Sequence, residues 1–310
     1  MLGSAVYAVR VLRDSAANSL YGARAGFRHD AFVHDSDEDF VQSAVAFVQE
    51  GLAAGERIAA ALSPGRIALL RDALGPDQGK VSFIDMTVAG GNPARLIPVW
   101  REILERHPEQ PVRGLSQAAY PGRSAAEYDE VLLHEALSDI AFAADKSFRL
   151  QCAYEASVGL DPTATHSDAE SLAEKTFRTA LTDVPDRAER WAFGPAELGQ
   201  VRQWVAGHAS SHGVSRDRLE DLCLALHEIC TNTIRFGGGH GTLTVWIADG
   251  ALICDISDQG RIDNLLVGRV LPPLEGLGGR GVWLANQLCD LVQLRSGDGF
   301  TQVRLHTRLR

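Results

Sequence analysis

Three short segments that follow one another near the C-terminus constrain this chain more than any other feature of its sequence. In chain order they read Glu228-Ile-Cys-Thr-Asn232, Asp258-Gln-Gly260 and Gly276-Leu-Gly-Gly-Arg-Gly281. Glu228 and Asn232 are four residues apart, so they share one face if their segment is helical. The glycines of the third segment allow the backbone to approach phosphate oxygens closely, and the N-terminus of a following helix attracts anions. The order of the segments therefore predicts a single site for a ligand that carries phosphate.

Each segment also carries a side chain suited to a different part of such a ligand. A carboxylate at Glu228 can act as a general base, and an amide oxygen at Asn232 can ligate Mg²⁺, which prefers oxygen. Asp258 ends an apolar strand and can accept a hydrogen bond from an adenine amino group. The alternative interpretations are a solvated helix face, an ordinary aspartate at a strand-to-turn junction and a plain glycine hinge. The order and spacing of the segments favour the ligand site.

The same segments resemble the ATP-binding domain shared by gyrase and histidine kinases, and most of all the anti-sigma-factor serine kinases of bacteria. The family patterns E-x-x-x-N, D-x-G and G-R-G-[LV]-x-L fall on residues 228–232, 258–260 and 279–284. The resemblance covers residues 189–310 and implies an α+β fold, the two-layer Bergerat fold, with ATP and Mg²⁺ as cofactors. It implies Glu228 as catalytic base and Asn232 as the magnesium ligand. The implied nucleotide-binding residues are Asn232, Arg235, Asp258, Gly260, Gly278, Gly279, Arg280 and Gly281.

The chain departs from the family pattern close to these segments. Phe236 stands where many relatives carry a histidine, and Arg261-Ile262 replaces a second glycine after Asp258. The stretch 261–277 contains two adjacent prolines and little periodicity, and a loop of that length is usually functional or disordered. The resemblance implies that it forms the lid over the nucleotide.

Apolar residues recur in two different ways along the chain. Up to residue 165, helical patterns alternate with short apolar runs, which predicts parallel βαβ units and an α/β fold. The predicted helices are 39–54, 66–74, 93–106 and 125–143, and the predicted strands are 57–62, 81–86, 112–116 and 148–154. Beyond residue 189, the predicted helices are 197–212, 216–235 and 282–289. Hairpins of 242–248 with 251–257 and of 291–295 with 301–307 predict a mixed, largely antiparallel sheet there.

The N-terminal part carries motifs of its own. They include His29-Asp-Ala-Phe, Asn92-Pro-Ala-Arg95, Pro121-Gly-Arg123-Ser, His134-Glu135-Ala-Leu and Cys152-Ala-Tyr154. These resemble the MEDS sensory domain of bacterial and archaeal regulators over residues 25–166. The resemblance implies a RecA- or Rossmann-like sandwich without a phosphate loop, and no G-x-x-x-x-G-K-[ST] occurs in the sequence. The candidate residues for a pocket that binds an unknown small-molecule effector are His29, Arg95, Arg123, Glu127, His134 and Tyr154.

Bulk properties limit the setting in which the chain works. Its 310 residues fit two domains, which we place at 25–166 and 189–310, with a tail at 1–24 and a polar, partly helical linker at 167–188. The net charge of −10 disfavours direct nucleic-acid binding, and no apolar run reaches the roughly 20 residues that span a bilayer. The five cysteines are scattered without a C-x-x-C pair. The sequence therefore predicts neither a zinc site nor disulfides, and a reducing cytoplasm is expected.

The residues and the resemblances together predict a signal-responsive anti-sigma regulator. It would bind Mg-ATP and phosphorylate a serine or threonine of a STAS-type anti-anti-sigma protein, sequester a sigma factor, or do both, and the relatives suggest a homodimer. Three alternatives stay open: a histidine kinase that uses His134 or the histidine of another protein, a non-catalytic nucleotide-dependent switch, and a ligand-sensing scaffold. His134-Glu135 imitates a phosphoacceptor dyad, but a strand and a polar linker separate it from the ATP-binding segments.

Overall fold

The computed structural model describes residues 27–182, 184–272 and 280–309. The predicted tail 1–24, the end of the predicted lid and the candidate residues Gly278 and Gly279 lie outside these ranges. Among the described residues, no helix combines the length and apolar character needed to cross a bilayer.

The N-terminal half is built around a five-stranded sheet. Its strands are β1 (Arg28–His34), β2 (Arg57–Leu62), β3 (Val81–Asp85), β4 (Val112–Ser116) and β5 (Phe148–Glu155). They lie in the order β1-β5-β4-β2-β3, and each of the four pairings is parallel. The helices are α1 (Asp37–Ala53), α2 (Pro64–Leu74), α3 (Met86–Ala89), α4 (Leu96–Arg106), α5 (Ala125–Phe142), α6 (Thr163–Ser167) and α7 (Ala169–Arg178). The predicted α/β class is confirmed.

The alternation of side chains on β2 shows why this sheet needs helices on both faces. Ile58, Ala60 and Leu62 belong to a hydrophobic cluster with α1 and α2, whereas Ala59 and Ala61 belong to the cluster with α4 and α5. A strand that is apolar on both faces is typical of a parallel sheet covered on both sides. Helix α5 begins with a capping box in which Ser124 and Glu127 bond each other's backbone N–H groups.

The C-terminal half contains a second sheet of five strands. They are β6 (Glu189–Phe193), β7 (Gly241–Ala248), β8 (Ala251–Asp258), β9 (Leu291–Gly297) and β10 (Phe300–Arg308), in the order β6-β7-β8-β10-β9. All four pairings are antiparallel, so the sheet is not mixed as the sequence suggested. The helices are α8 (Leu198–Ser211), α9 (Arg216–Phe236) and α10 (Arg280–Leu288), and the α+β class is confirmed. Asp249 and Gly250 both have positive φ, 49° and 69°, as a two-residue hairpin turn requires.

Helix α7 lies between the two halves, within the segment predicted as a linker. Its Ala173 belongs to the hydrophobic core around α4 and α5, and its Phe177 belongs to the core of the second sheet. This segment therefore packs against both halves.

Candidate nucleotide site and its contacts with the N-terminal domain

The first predicted segment lies on α9 and faces the beginning of α10. Buried Leu222, Leu226 and Ile229 hold one side of α9 in the core, which leaves Glu228 and Asn232 half-buried on another side. A Cβ atom added at Gly281 would lie 2.9 Å from Nδ2 of Asn232 and 3.0 Å from Oε2 of Glu228. A side chain at position 281 would therefore push the Asn232 amide and the Glu228 carboxylate aside.

The second predicted segment places a carboxylate of fixed orientation at the end of β8. Oδ2 of Asp258 accepts a hydrogen bond from Oγ1 of Thr233 at 2.6 Å, and Oδ1 accepts one from the backbone N–H of Gly260 at 2.8 Å. A side chain at Gly237 would overlap the Asp258 carboxylate. Each carboxylate oxygen retains a free lone pair, so Asp258 can accept a further hydrogen bond from a ligand.

These side chains fit the ligand that the sequence predicts. Because residues 260 and 281 are glycines, only backbone atoms of these two residues lie beside Asp258, Glu228 and Asn232. Among the described residues, no hydrogen bond engages the Asn232 amide or the Glu228 carboxylate. An amide oxygen that is not otherwise engaged suits Mg²⁺, and the start of a helix suits phosphate.

The remaining predicted nucleotide-binding residues have different surroundings. Arg235 is exposed, and its guanidinium lies 5.1 Å from the ring centroid of Phe236, which is also exposed. Arg280 is exposed at the first position of α10. Sequence reasoning missed Thr233 and Gly237 as residues that position Asp258. The sequence indicated them only by their position just after the first segment, since Thr233 follows Asn232 directly.

The described part of the predicted lid, residues 261–272, packs against the N-terminal domain. Leu265 and Leu266 join the hydrophobic cluster around α4 and α5. Nη2 of Arg269 lies 2.7 Å from Oε2 of Glu130 on α5, and Nη1 of Arg295 on β9 lies 2.7 Å from Oε1 of the same carboxylate. All three side chains are at least nine-tenths buried. One buried carboxylate therefore joins α5 to both the lid and the second sheet.

The C-terminal end of α10 is held by Arg95 of the N-terminal domain. The Arg95 guanidinium donates hydrogen bonds to the carbonyl oxygens of Asn286 at 2.7 Å, Gln287 at 2.9 Å and Cys289 at 2.8 Å. A cation at this end also interacts favourably with the helix dipole. Nδ2 of Asn286 in turn donates to the carbonyl of Gly268 in the lid at 3.0 Å.

The residues predicted for an effector pocket do not all lie together, because Arg95 and Arg123 bond backbone carbonyls elsewhere. Arg123 donates hydrogen bonds to the backbone carbonyls of Ala118, Gly90 and Gly91, and its guanidinium lies 4.1 Å from the ring centroid of Tyr120. It therefore fixes the turn that leads to Arg95. Oε1 of Glu127 bonds Arg308 of β10, so this candidate also belongs to the contact between the halves.

His134 is not placed as a phosphoacceptor. Its side chain is 1% exposed inside α5, and burial lowers its pKa to about 3. A ring that is buried in this way is not accessible to a nucleotide bound at α10. His29 and Tyr154 do come together, because both rings lie near His166, at centroid distances of 4.2 Å and 6.2 Å.

Comparison with known proteins agrees with this division of the chain. Residues 28–174 match the family model for MEDS, the methanogen/methylotroph, DcmR sensory domain, and residues 192–307 match that for the histidine kinase-like ATPase domain. The serine-protein kinase RsbW of Halalkalibacterium halodurans is 30% identical over 114 residues, which are 33% of this chain and 70% of that protein. RsbW of Bacillus cereus strain ATCC 10987 is 30% identical over 142 residues, or 40% of this chain and 82% of that protein.

A solved structure of the RsbU and RsbW domains of Rv1364c from Mycobacterium tuberculosis is similar at 16% identity and a TM-score of 0.31. The match covers 61% of this chain and about half, 49%, of that one.

The chain thus joins a MEDS sensory domain to a histidine kinase-like ATPase domain, which defines a class of two-domain signalling regulators. Within that class, the resemblance to the anti-sigma-factor serine kinases is confirmed, and the chain belongs to the family of the serine-protein kinases RsbW.

Proposed function

We propose that this protein is a signal-responsive anti-sigma regulator that binds Mg-ATP and phosphorylates a serine or threonine of a STAS-type anti-anti-sigma protein. The same ATPase domain would sequester a sigma factor, and the protein would work in the cytoplasm, where such partners act. The observation that carries the proposal is the approach of Glu228 and Asn232 on α9 to Gly281 in the first turn of α10. The Glu228 carboxylate, the Asn232 amide group and the start of α10 lie side by side there.

The roles of the residues follow from their chemistry. Bound Mg-ATP would supply the γ-phosphoryl group. The Glu228 carboxylate would take the proton of the incoming partner hydroxyl, a contribution of about 10²–10⁴ in rate for a well-placed base. Asn232 would hold Mg²⁺ through its amide oxygen, and Asp258 would accept a hydrogen bond from the adenine amino group. The N–H groups at the start of α10 would hold phosphate oxygens.

The regulatory part of the proposal rests on the contacts between the domains. Glu130 of α5 holds Arg269 of the lid, and Arg95 holds the far end of α10. An effector that moves α5 or the turn at Arg95 would therefore change the position of the lid or of α10. This provides a route from the sensory domain to the nucleotide site.

Phosphoryl transfer in the full-length chain tests the proposal. Partners are captured from the source organism, and radiolabelled ATP is supplied in single-turnover experiments with wild type, Glu228→Gln and the control Glu220→Gln. Glu220 lies on the same helix but is exposed and pairs with Arg216. We expect acid-stable label on a partner serine or threonine. Transfer should fall at least about 100-fold in Glu228→Gln alone, with ATP affinity unchanged because the helix is kept.

Other outcomes would select an alternative. Acid-labile label would indicate a histidine kinase that uses a histidine of another protein, since His134 is buried. ATP binding by wild type without label on any captured partner would leave the non-catalytic switch. Absence of ATP binding would leave the sensing scaffold, and unchanged transfer by Glu228→Gln would exclude Glu228 as the base.

A further inference from the structure

Four side chains of the types that bind metals converge beside β1, away from the nucleotide site. They come from four elements: His29 from β1, Glu135 from α5, Cys152 from β5 and His166 from α6. One ligand atom from each lies within 4.8 Å of all the others. The side chains of His29 and Glu135 are 1% exposed, Cys152 is buried, and the His166 side chain is 11% exposed.

The distances between these atoms fit a tetrahedral ion. Nε2 of His29 lies 3.1 Å from Oε2 of Glu135 and 3.3 Å from Sγ of Cys152, and Nε2 of His166 lies 3.8 Å from the same Oε2. Zinc bonds of about 2.0–2.3 Å to nitrogen, oxygen and sulfur place tetrahedral ligand atoms about 3.3–3.6 Å apart. Small side-chain adjustments would therefore bring all four atoms to one ion.

Both histidines turn Nε2 toward the centre of the cluster. Nδ1 of His166 lies 2.9 Å from the carbonyl oxygen of Pro162. A carbonyl only accepts, so Nδ1 carries the proton and Nε2 is left as an acceptor. Nδ1 of His29 lies 3.3 Å from Oδ2 of Asp139, an arrangement in which a carboxylate orients a ligating imidazole. Metal-binding histidines almost always have such a partner on the second ring nitrogen.

Ion pairs among these side chains would leave two buried polar atoms of the cluster without a partner. Burial opposes a charge on His29, but hydrogen bonds to Asp139 and Glu135 outweigh it and raise the pKa of His29 to about 9. That pairing gives no partner to Nε2 of His166 or to Oε1 of Glu135, and both atoms are buried without a hydrogen bond to any residue that the structure describes. A buried polar atom without a hydrogen bond destabilises the folded chain. A cation at the centre would bind Nε2 of His166 directly. It would also balance the negative charge of the Glu135 carboxylate.

We propose that His29, Glu135, Cys152 and His166 form a binding site for one Zn²⁺ ion. Zinc suits a mixed set of imidazole, thiolate and carboxylate ligands in tetrahedral geometry. Binding displaces the thiol proton of Cys152 and the proton held by His29, because the ligands must be deprotonated. The ion ties α6, which leads into α7, to the edge of the first sheet.

The proposed site differs from the expectation that the scattered cysteines indicate no zinc site. Zinc sites are recognised in a sequence by closely spaced ligands such as C-x-x-C. Here Glu135 and Cys152 lie 106 and 123 residues from His29. Parallel pairing of β1 with β5 brings Cys152 close to His29, and Glu135 reaches the same place from α5.

Metal titration of the full-length chain tests the proposal. The purified protein is analysed for zinc, stripped with a chelator and titrated with Zn²⁺ or with Co²⁺ as a spectroscopic probe. We expect one metal per chain, a tetrahedral cobalt spectrum and a thiolate-to-cobalt charge-transfer band. Cys152→Ser should lose that band, and Asp139→Asn should weaken Zn²⁺ binding about 10–100-fold. The control Cys223→Ser, which changes a half-buried cysteine of the ATPase domain, should bind as wild type does.

The wild-type spectrum decides the outcome even if a variant fails to fold. A folded wild-type chain that takes up no stoichiometric metal, or whose cobalt complex lacks a thiolate band, overturns the proposal. Retention of the band in a folded Cys152→Ser variant also overturns it, as does its loss in Cys223→Ser.

Discussion

Thr233 shows how a single hydroxyl can prepare a binding site. Its side chain is 2% exposed, and its Oγ1 donates to Oδ2 of Asp258 at 2.6 Å. Together with the N–H of Gly260 on the other oxygen, this bond fixes the plane of the carboxylate. The free lone pairs of Asp258 then point in set directions before any ligand arrives, which lowers the cost of ordering on binding.

Removal of this hydroxyl should weaken nucleotide binding without removing the recognition group. We expect Thr233→Val to reduce ATP affinity by about 1 kcal/mol, or about five- to tenfold in Kd, by calorimetry on the full-length chain. Asp258→Asn should reduce it further, because an acceptor oxygen becomes a donor that faces the adenine amino group. Thr231→Val is the matched control, since the hydroxyl of Thr231 has no hydrogen-bond partner within the described part of the chain. Equal affinities for Thr231→Val and Thr233→Val would contradict this role.

His134 should make the protein sensitive to mild acid. Burial lowers its pKa to about 3, so between this value and about pH 6.5 the unfolded chain binds a proton that the folded chain does not. Stability is therefore complete above about pH 6.5 and falls as the pH drops, by about 1 kcal/mol per unit from this residue. Urea unfolding at about pH 7 and pH 5 should show a smaller loss in His134→Gln than in wild type. An identical loss in both proteins would mean that His134 is protonated in the folded state.

At the scale of elements, the spacing of apolar residues and the local composition predicted most helices and strands to within a few residues. Two strands were missed. β1 reads RHDAFVH and β6 reads ERWAF, and neither is an apolar run. Both are outer strands of their sheets, where only one neighbour supplies hydrogen bonds. Local sequence carries little information about such strands, because tertiary pairing decides their conformation.

The candidate nucleotide site was more predictable than the effector pocket for a related reason. Glu228 and Asn232 lie within one helix turn, so their common face follows from helical spacing alone. Arg95 contacts Asn286, 191 positions away, and nothing local indicates that contact. The nucleotide roles of Glu228, Asn232 and Asp258 stay predictions until ligand binding is measured.

The contact of Arg95 with α10 should matter both for stability and for nucleotide binding. Arg95→Ala removes three hydrogen bonds to carbonyls at the end of α10, and we expect a loss of about 2 kcal/mol or more in the free energy of unfolding. ATP affinity should also fall, because α10 begins at the proposed phosphate site. Urea unfolding and calorimetry check both effects against Arg106→Ala, whose side chain is 70% exposed and pairs only with Glu102 among the described residues. Unchanged ATP affinity in Arg95→Ala would show that the two ends of α10 are independent.

At the scale of the whole molecule, Glu130 is a buried charge that joins the two domains. Its buried carboxylate lies between Arg269 of the lid and Arg295 of β9. Glu130→Gln would leave two buried guanidinium groups without their counter-ion, and we expect a cost of about 3 kcal/mol or more. Hydrogen exchange in residues 262–272 should become faster.

The control for this variant is Glu102→Gln, which changes an exposed ion pair with Arg106. Such pairs contribute about 0–1 kcal/mol, so its stability and exchange should match wild type. Exchange in 262–272 that is equally slow in Glu130→Gln and in wild type would mean that other contacts, such as those of Leu265, Leu266 and Gly268, hold this segment without Glu130.

Helix α10 has nine residues and is therefore about 13 Å long. Arg95 binds its C-terminal end, and its N-terminal end lies at the proposed phosphate site. If an effector acts through the Arg95 end and changes the affinity for ATP, linkage requires ATP to change the affinity for that effector by the same factor. The effector concentration that triggers a response then depends on the nucleotide level of the cell. Cells with low and with high ATP would then respond to the same effector at different effector concentrations.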